Sequence, residues 1–455
     1  MSQPVSDHEG LYDSSRSDAA QRSAFTDGDV PVAVYGLGKM GLPLASVYAA
    51  VSGNTIGVDI DESVVQGINA GECHVKREPG LSDLVADMVE DGAFRATADP
   101  SEAAESAAVH VLMVPTLLTD EREPDLSMLM SAVEDIGEGL SPGDLVIVES
   151  TVPPRTTRDR VVPQLAETSG LPPEAFGAAA CPERTVSGQA LSDIRGTHPK
   201  VVGGVDAEST RAAALIYDEI SSNEVIETTD STVAEAVKVF EGVYRDVNIA
   251  LANQLAMYSR AMDTDVNEAI DVANTQPFCD IHTPGPGVGG HCIPVYPYFL
   301  TGAFDVDGSL LTTGRDINDG MPEYTVSMLE RILESHGIED SDPRILLLGL
   351  TYKSNIEELR NAPSLPLARA LRERGATVLG VDPMLDDWSG LDDIEEVPLP
   401  AAYDQGVDAV VVVTPHDEFA DLEWEAFDAP ILDGRRAVDR EAVDAPIYAI
   451  GGRWP

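Results

Sequence analysis

Lysine is nearly absent from this chain. Only Lys39, Lys76, Lys200, Lys238 and Lys353 occur in 455 residues, and arginine fills the other basic positions. A compact ammonium is not interchangeable with arginine's planar fork, so each surviving lysine is a functional candidate. Basic charge as a whole is scarce: 29 basic residues face 79 acidic ones, a formal net charge of -50. Without a basic footprint, nucleic acid is excluded as a partner. Cysteine is scarce too. Cys73, Cys181, Cys279 and Cys292 form neither a disulfide framework nor a paired metal-ligand spacing, and the eight histidines show no HExxH-like cluster. No metal site is expected, and reduced cysteines fit a cytoplasmic protein. No apolar run reaches the ~18 residues that would cross a bilayer, so no membrane partner is expected. Residues 1–29 are polar and lack the apolar segment of a signal peptide; they predict a disordered acidic tail.

What is present is a globular chain. Hydrophobic residues make up 43%, and the length calls for two or three domains. The first ordered element is "VPVAVYGLG" (30–38), a valine-rich buried strand that runs into "GLGKMG". Gly36, Gly38 and Gly41 stand in the GxGxxG spacing, followed by the helix "LPLASVYAAVSG" and the strand "TIGVDID". This is a βαβ unit with the dinucleotide fingerprint: a tight turn, close backbone approach to a pyrophosphate, and a helix N-terminus of favourable partial charge. Asp59 ends the second strand, where a carboxylate takes a ribose 2′-hydroxyl and repels a 2′-phosphate; NAD is the expected cofactor. The turn residues Gly36, Leu37, Gly38, Lys39, Met40 and Gly41, with Asp59, Thr116 and Thr151, are the candidate cofactor contacts. Strands are also predicted at "AVHVLMVPT", "DLVIVEST", "FGAAACPE" and "KVVGG", closing a domain over 30–205.

The middle changes character. Val233, Val237, Phe240, Tyr244, Val247 and Leu251 follow helical spacing, and one helix over 231–262 would be about 48 Å long. Such a helix suits a domain spine and a dimer interface. The central helical domain is predicted over 206–320 and contains the loop "GVGGHCIPVYPYFL" with Cys292. From residue 321 to 455 a second α/β alternation follows: "RILLLGLTY", "SLPLARALRERG", "ATVLGVDP", "VDAVVVVTP" and "APILDGRR". Its first turn, "GLTYKSN", lacks GxGxxG and should bind something other than a dinucleotide. The predicted fold class is α/β, with two Rossmann-like doubly wound domains joined by a central helical domain.

The stretches "GLGKMGLPLA", "GVDID", "INAGECHVKREPGL", "ESTVPPRTT", "CPERTVSG", "EAVKVFEGVYRDVNIALANQLA", "GPGVGGHCIPV", "LLGLTYKSNIEELRNAP" and "VVVTPHDEF" together resemble the UDP-glucose/GDP-mannose dehydrogenase family. "CPER" with "GGHCIPV" is most similar to the branch acting on UDP-N-acetylmannosamine or UDP-N-acetylglucosamine. The resemblance implies NAD-dependent four-electron oxidation of a C6 alcohol of a UDP-sugar, through a cysteine thiohemiacetal and thioester. It implies Cys292 as nucleophile, Lys238 as the cation at the C6 oxygen, Glu183 as the group that orients or activates water, and Thr151 as a water or substrate partner. Substrate contacts carried over are Glu183, Arg184, Lys238, Arg245, Gly289, Lys353 and Arg435; Arg245 alternatively belongs to a structural ion pair. Cys181 is expected to pack as a small apolar residue. The acid-rich, lysine-poor composition resembles proteins of salt-loving organisms.

Three positions depart from the family pattern. Tyr296 stands where aspartate follows the cysteine by four, Gly242 where asparagine follows the helix lysine by four, and Phe278 in a loop that commonly carries arginine. Positions 238 and 242 lie one helical turn apart, and the family brings that face to position 296. Tyr296 is therefore expected to fill the space over Gly242, with its hydroxyl near Lys238 or Cys292 sharing in the proton chemistry; pure packing is the alternative. Two further readings stay open: the same chemistry on UDP-glucose or another nucleotide sugar, and a sugar-nucleotide-binding protein without turnover.

Overall fold

The computed structural model describes residues 10–186, 188–338, 342–439 and 443–454. The chain divides into two compact units, one of residues 1–240 with 298–304, the other of 241–297 with 305–455.

The first unit is built on an eight-stranded sheet. Its strands are β1 (Val32–Tyr35), β2 (Thr55–Val58), β3 (Phe94–Thr97) and β4 (Val109–Leu112). A short antiparallel pair, β5 (Leu117–Leu118) and β6 (Pro124–Asp125), stands apart from it. The sheet continues with β7 (Leu145–Val148), β8 (Gly177–Ala180), β9 (Lys200–Gly204) and β10 (Val225–Glu227). The strand order is β10-β9-β8-β7-β4-β1-β2-β3, parallel throughout except for β8 against β9. All four residues of β1 are buried because helices cover both faces. Alternation sends Val32 and Val34 into one apolar layer with Leu44 and Tyr48, and Ala33 and Tyr35 into the other with Leu129 and Val133. The order reverses between β1 and β4, which opens a crevice at their carboxyl ends.

The second unit holds β11 (Arg344–Leu348), β12 (Thr377–Val381), β13 (Glu395–Glu396), β14 (Ala409–Val412), β15 (Ile431–Asp433) and β16 (Ile447–Ala449). Every pairing in it is parallel, in the order β13-β12-β11-β14-β15-β16. Both sheets are thus the doubly wound kind, and the switch point here lies between β11 and β14.

Three expectations need correction. The long helix is Ser231–Ala256, about 39 Å, and not 231–262. The Tyr258 N–H reaches back only to Leu255 O, a three-residue step that ends the helix before the short turn of helix Ser259–Met262. The first α/β domain does not end at 205: helix Ala207–Ile220 packs on its sheet and β10 pairs with β9. The predicted tail is ordered where it is described, its residues 1–9 lying outside the described range. Helix Asp18–Thr26 is capped by Ser17, and Leu11 and Phe25 are fully buried in the first unit's core. Arg22 pairs with Asp218 at 2.6 Å and Glu219 at 2.8 Å. Too few apolar residues carry this docking for the polar composition to reveal it. Phe25→Ala is expected to cost roughly 3–5 kcal/mol of the first unit's stability and to lower its thermal midpoint by roughly 10 °C. An unchanged midpoint would mean the segment packs on nothing.

Candidate active site

The glycine turn after β1 is held by Asp59. Its Oδ2 accepts the Leu37 N–H at 2.9 Å and its Oδ1 accepts the Asp61 N–H at 3.0 Å. Gly36 has φ +92°, and a Cβ on Gly41 would overlap the Gly36 carbonyl oxygen, so both positions require glycine. Beyond Gly38 and its two chain neighbours, nothing stands within 4 Å of where a Gly38 Cβ would be. Helix Gly41–Ser52 begins there with no side-chain cap. An open glycine face, an uncapped helix start and a carboxylate with acceptor capacity left over fit a dinucleotide. Lys39 is exposed beside this face, Met40 Sδ accepts from Thr185 Oγ1 at 3.0 Å, and the Leu37 side chain turns into the core.

Thr116 and Thr151 follow neighbouring strands and are tied together, Thr116 Oγ1 donating to Thr151 O at 2.6 Å. The loop after Thr151 is gripped by Glu235, a residue the sequence did not single out. Its Oε2 accepts the Arg155 N–H at 2.6 Å, and its Oε1 accepts Thr157 N–H at 2.7 Å and Thr157 Oγ1 at 2.6 Å. Arg155 sits at φ +81°, a strained value for a side-chain-bearing residue. Burial lifts the Glu235 carboxyl to about 7 against those hydrogen bonds. Glu235 lies one turn before Lys238 on the long helix, so the same turn that presents the lysine fixes the Thr151 loop.

Glu183 is almost fully buried. Its Oε1 accepts the Thr185 N–H at 2.5 Å, and its Oε2 has no hydrogen-bond partner among the described residues. Lys200 Nζ stands 3.8 Å from that oxygen and donates to Glu149 Oε2 at 3.0 Å. Tyr217 donates its hydroxyl to the other Glu149 oxygen. Burial lifts Glu149 to about 7 against the pull of Lys200. Burial disfavours the Lys200 ammonium, but Glu149 and Glu183 more than offset it and hold its pKa well above the ordinary value. Cys181 is fully buried beside this cluster, and burial pushes its thiol pKa up. Arg184 donates to Pro199 O at 2.8 Å, and Lys238 is half-buried in the first unit.

In the second unit Cys292 is the exposed one of the four free cysteines. The neighbouring His291 contacts Glu358 at 3.3 Å. Tyr352, which the sequence did not suggest, lies against this loop: a Cβ on Gly289 would come within 2.7 Å of the Tyr352 Cβ. Burial raises the Tyr352 phenol's pKa, and the charges of Cys292 and Glu358 add to it. Tyr296 lies over Gly242 as the two departures suggested. A Cβ at 242 would overlap Tyr296 Cδ2 and stand 3.0 Å from Cε2 and Cγ, and the tyrosine is 6% exposed. Phe278 is 95% exposed. Arg245 is exposed near His282, whose pKa is lowered by burial and by the arginine's charge.

The turn after β11 differs from the first in what its acid does. Asp382 Oδ2 accepts N–H from Leu350 at 2.6 Å and Thr351 at 2.8 Å, and lies 3.1 Å from His416 Nε2. Its Oδ1 accepts from Met384 at 2.8 Å. Oδ2 is fully engaged and the carboxylate is 6% exposed, so this turn does not present its acid as Asp59 does. Lys353 is half-buried in the same loop. Arg435 donates to the carbonyls of Val413 at 3.0 Å and Gly287 at 3.1 Å, and burial lowers its pKa. A guanidinium laid on carbonyls keeps its charge for an anion such as a diphosphate.

The first unit's turn and fold define an NAD-dependent dehydrogenase. The chain belongs to the UDP-glucose/GDP-mannose dehydrogenase family. It matches that family's NAD binding domain over residues 30–221, its central domain over 232–320 and its UDP binding domain over 346–440. It is 34% identical over 426 residues to the UDP-N-acetyl-D-mannosamine dehydrogenase of Pyrococcus horikoshii, across 92% of this chain and 99% of that protein. It is 34% identical to the NDP-N-acetyl-D-galactosaminuronic acid dehydrogenase of Ralstonia nicotianae, across 88% of this chain and 94% of that one. The solved structure of the Pyrococcus horikoshii UDP-D-ManNAc dehydrogenase superposes with a TM-score of 0.83 at 33% identity, covering 93% of this chain and 99% of that chain. The protein is therefore an NAD-dependent nucleotide-sugar oxidoreductase.

Two predictions follow from this geometry. Asp59→Ala removes both a turn brace and the candidate 2′-hydroxyl acceptor. Its Kd for NAD+ should rise roughly 10-fold or more, and its preference over NADP+ should shrink; titration with both nucleotides decides, and undiminished preference would count against the assignment. Gly242→Ala gains about 1 kcal/mol of helix propensity yet overlaps the Tyr296 ring, which costs roughly 1–3 kcal/mol. Net destabilisation is expected in thermal unfolding, and stabilisation would show that the ring yields freely.

Proposed function

We propose that this enzyme oxidises the C6 alcohol of a UDP-N-acetylhexosamine, UDP-N-acetylmannosamine being the best-supported sugar, to the uronate. The observation that carries the reading is the exposed Cys292 on a glycine loop in the unit that holds the UDP binding segment. The relatives named for N-acetylhexosamine substrates support the choice of sugar. NAD+ supplies the hydride acceptor for each of two oxidations. The Cys292 thiolate adds to the C6 aldehyde carbon, and the second oxidation leaves a thioester on its sulfur. The Lys238 ammonium stabilises negative charge on the C6 oxygen. Glu183 takes a proton from water as the water oxygen attacks the thioester, and sulfur leaves as thiolate. Thr151 holds water or sugar, and the Tyr296 hydroxyl shares in the proton chemistry. Lys353 and Arg435 bind the UDP, and Arg184 and Gly289 are further substrate contacts, as is Arg245 unless it belongs to a structural ion pair.

The reading includes a homodimer formed through the long helix. Val233, Phe240, Tyr244 and Leu251 are 41%, 58%, 52% and 48% exposed and recur at helical spacing on one face. An exposed apolar stripe of this kind marks a contact surface. A salt-adapted cytoplasm is the setting that the charge of -50 supports. Among the described residues no helix is long and apolar enough to cross a membrane.

With UDP-N-acetylmannosamine and NAD+ at molar KCl, two NADH per uronate are expected. Cys292→Ser should lower uronate release by roughly 10³-fold or more. In the same assay a large fall in Tyr296→Phe assigns its hydroxyl a chemical role, and an unchanged rate leaves packing alone. No NADH from wild type with any UDP-sugar would reduce the protein to a binder of sugar nucleotides.

A further inference from the structure

We propose that Lys200 is the positioning residue for Glu183, its buried ammonium fixing the free oxygen of the carboxylate that takes a proton from water. The proposal rests on the reading that Glu183 activates the hydrolytic water.

Lys200 opens β9 and is 7% exposed. A lysine is almost never so buried unless it is paired. Its hydrogen bond goes to Glu149, and its ionic reach of 3.8 Å goes to the Glu183 oxygen that accepts no hydrogen bond from the described residues. That separation is too long for a hydrogen bond but short enough for a strong charge interaction out of water. Buried carboxylate oxygens without a donor are rare, and this one is placed to accept from a water or substrate hydroxyl. The other Glu183 oxygen is fixed by the Thr185 N–H, so the carboxylate cannot swing to the ammonium without losing that bond.

The side chains of the remaining groups in the cluster hold Lys200. Glu149 comes from the end of β7, and its backbone carbonyl accepts the Glu183 N–H at 3.1 Å. Tyr217, on helix Ala207–Ile220, braces the other Glu149 oxygen and presents its ring 5.0 Å from Nζ. Tyr48, on helix Gly41–Ser52, packs edge-on against Tyr217, with ring centroids 6.4 Å apart. Cys181, two residues before Glu183, completes the set of titratable neighbours. Two carboxylates share one ammonium, and Glu149 is the one whose proton affinity burial raises to near neutrality.

The test separates oxidation from hydrolysis. Wild type, Lys200→Met, the double variant Glu149→Gln/Lys200→Met and Glu183→Gln are mixed with UDP-N-acetylmannosamine and NAD+ in stopped flow. The double variant removes the carboxylate that Lys200→Met would strand in the core, and thermal unfolding reports whether each variant is folded. Lys200→Met and the double variant are expected to keep a burst of two NADH per active site. Their steady-state turnover should fall roughly 100-fold, and intact-protein mass should show the acyl adduct on Cys292. The acid limb of the turnover profile should move to higher pH, with partial rescue at alkaline pH, which a merely structural lysine would not produce. A folded variant with wild-type turnover, or one that loses its burst in step with turnover, overturns the proposal. Glu183→Gln hydrolysing at the wild-type rate would overturn the role of Glu183 and this proposal together, whereas a slow Glu183→Gln beside a fast double variant would overturn only the role of Lys200.

Discussion

A carboxylate at the end of a second strand, hydrogen-bonded to the backbone of the turn after the first, organises both nucleotide-binding halves of this chain. Asp59 does so after β1 and Asp382 after β11. What distinguishes the halves is how much of the carboxylate is consumed. Asp59 accepts two backbone N–H groups and is partly exposed, so it retains lone pairs for a ribose hydroxyl. Asp382 accepts three N–H groups and faces His416 in a pocket where it is 6% exposed. Burial opposes its charge, but His416 and the backbone donors outweigh that and lower its pKa. The same topological device therefore leaves an open carboxylate in one sheet and a sealed brace in the other. Lys353 stands further along the loop after β11, and Arg435 follows β15.

The charge balance makes each buried cation informative. At molar salt the Debye length is about 3 Å, so exposed pairs contribute little while buried pairs escape screening. Arg315 is 2% exposed and is neutralised by Asp246 and Asp319, a structural arrangement. Arg435 makes its bonds to carbonyl oxygens, which hold the guanidinium without neutralising it. Lys200, like Arg315, is one cation facing two carboxylates, whereas the Arg435 side chain rests on carbonyl oxygens.

Much of this was legible in the residues. The glycine spacing, the terminal acid of β2, the valine-rich strands of both sheets and the cysteine loop each carry a local pattern, and the fold class follows from their order. The misses share one cause, which is that their signal is tertiary. Phe25 is a single aromatic in a polar segment, and its burial depends on a core formed by residues far along the chain. The helix end at Ala256 is invisible to periodicity because Tyr258 and Met262 continue the exposed apolar spacing beyond the break. Lys200 reads as the polar entry to a strand until the sheet places it between Glu149 and Glu183. Its scarcity was the available signal, since it is one of five lysines. Glu235 carried no signal at all: its partners are backbone N–H groups about 80 residues away.

Gly242 and Tyr296 show how two departures become one feature. A glycine inside a helix costs about 1 kcal/mol against alanine, which at an isolated position would have to be explained by something nearby. Burying most of an aromatic ring contributes roughly 2–3 kcal/mol, enough to offset that cost. Because a Cβ at 242 would overlap the ring, neither residue can revert alone: a side chain at 242 meets the phenol, and a small residue at 296 leaves a void over the glycine. The pair is therefore a packing unit whose two halves lie 54 positions apart in the chain, on the helix and on the cysteine loop. It locks the loop to the helix by volume, and it brings one hydroxyl where the family pattern has an amide and a carboxylate.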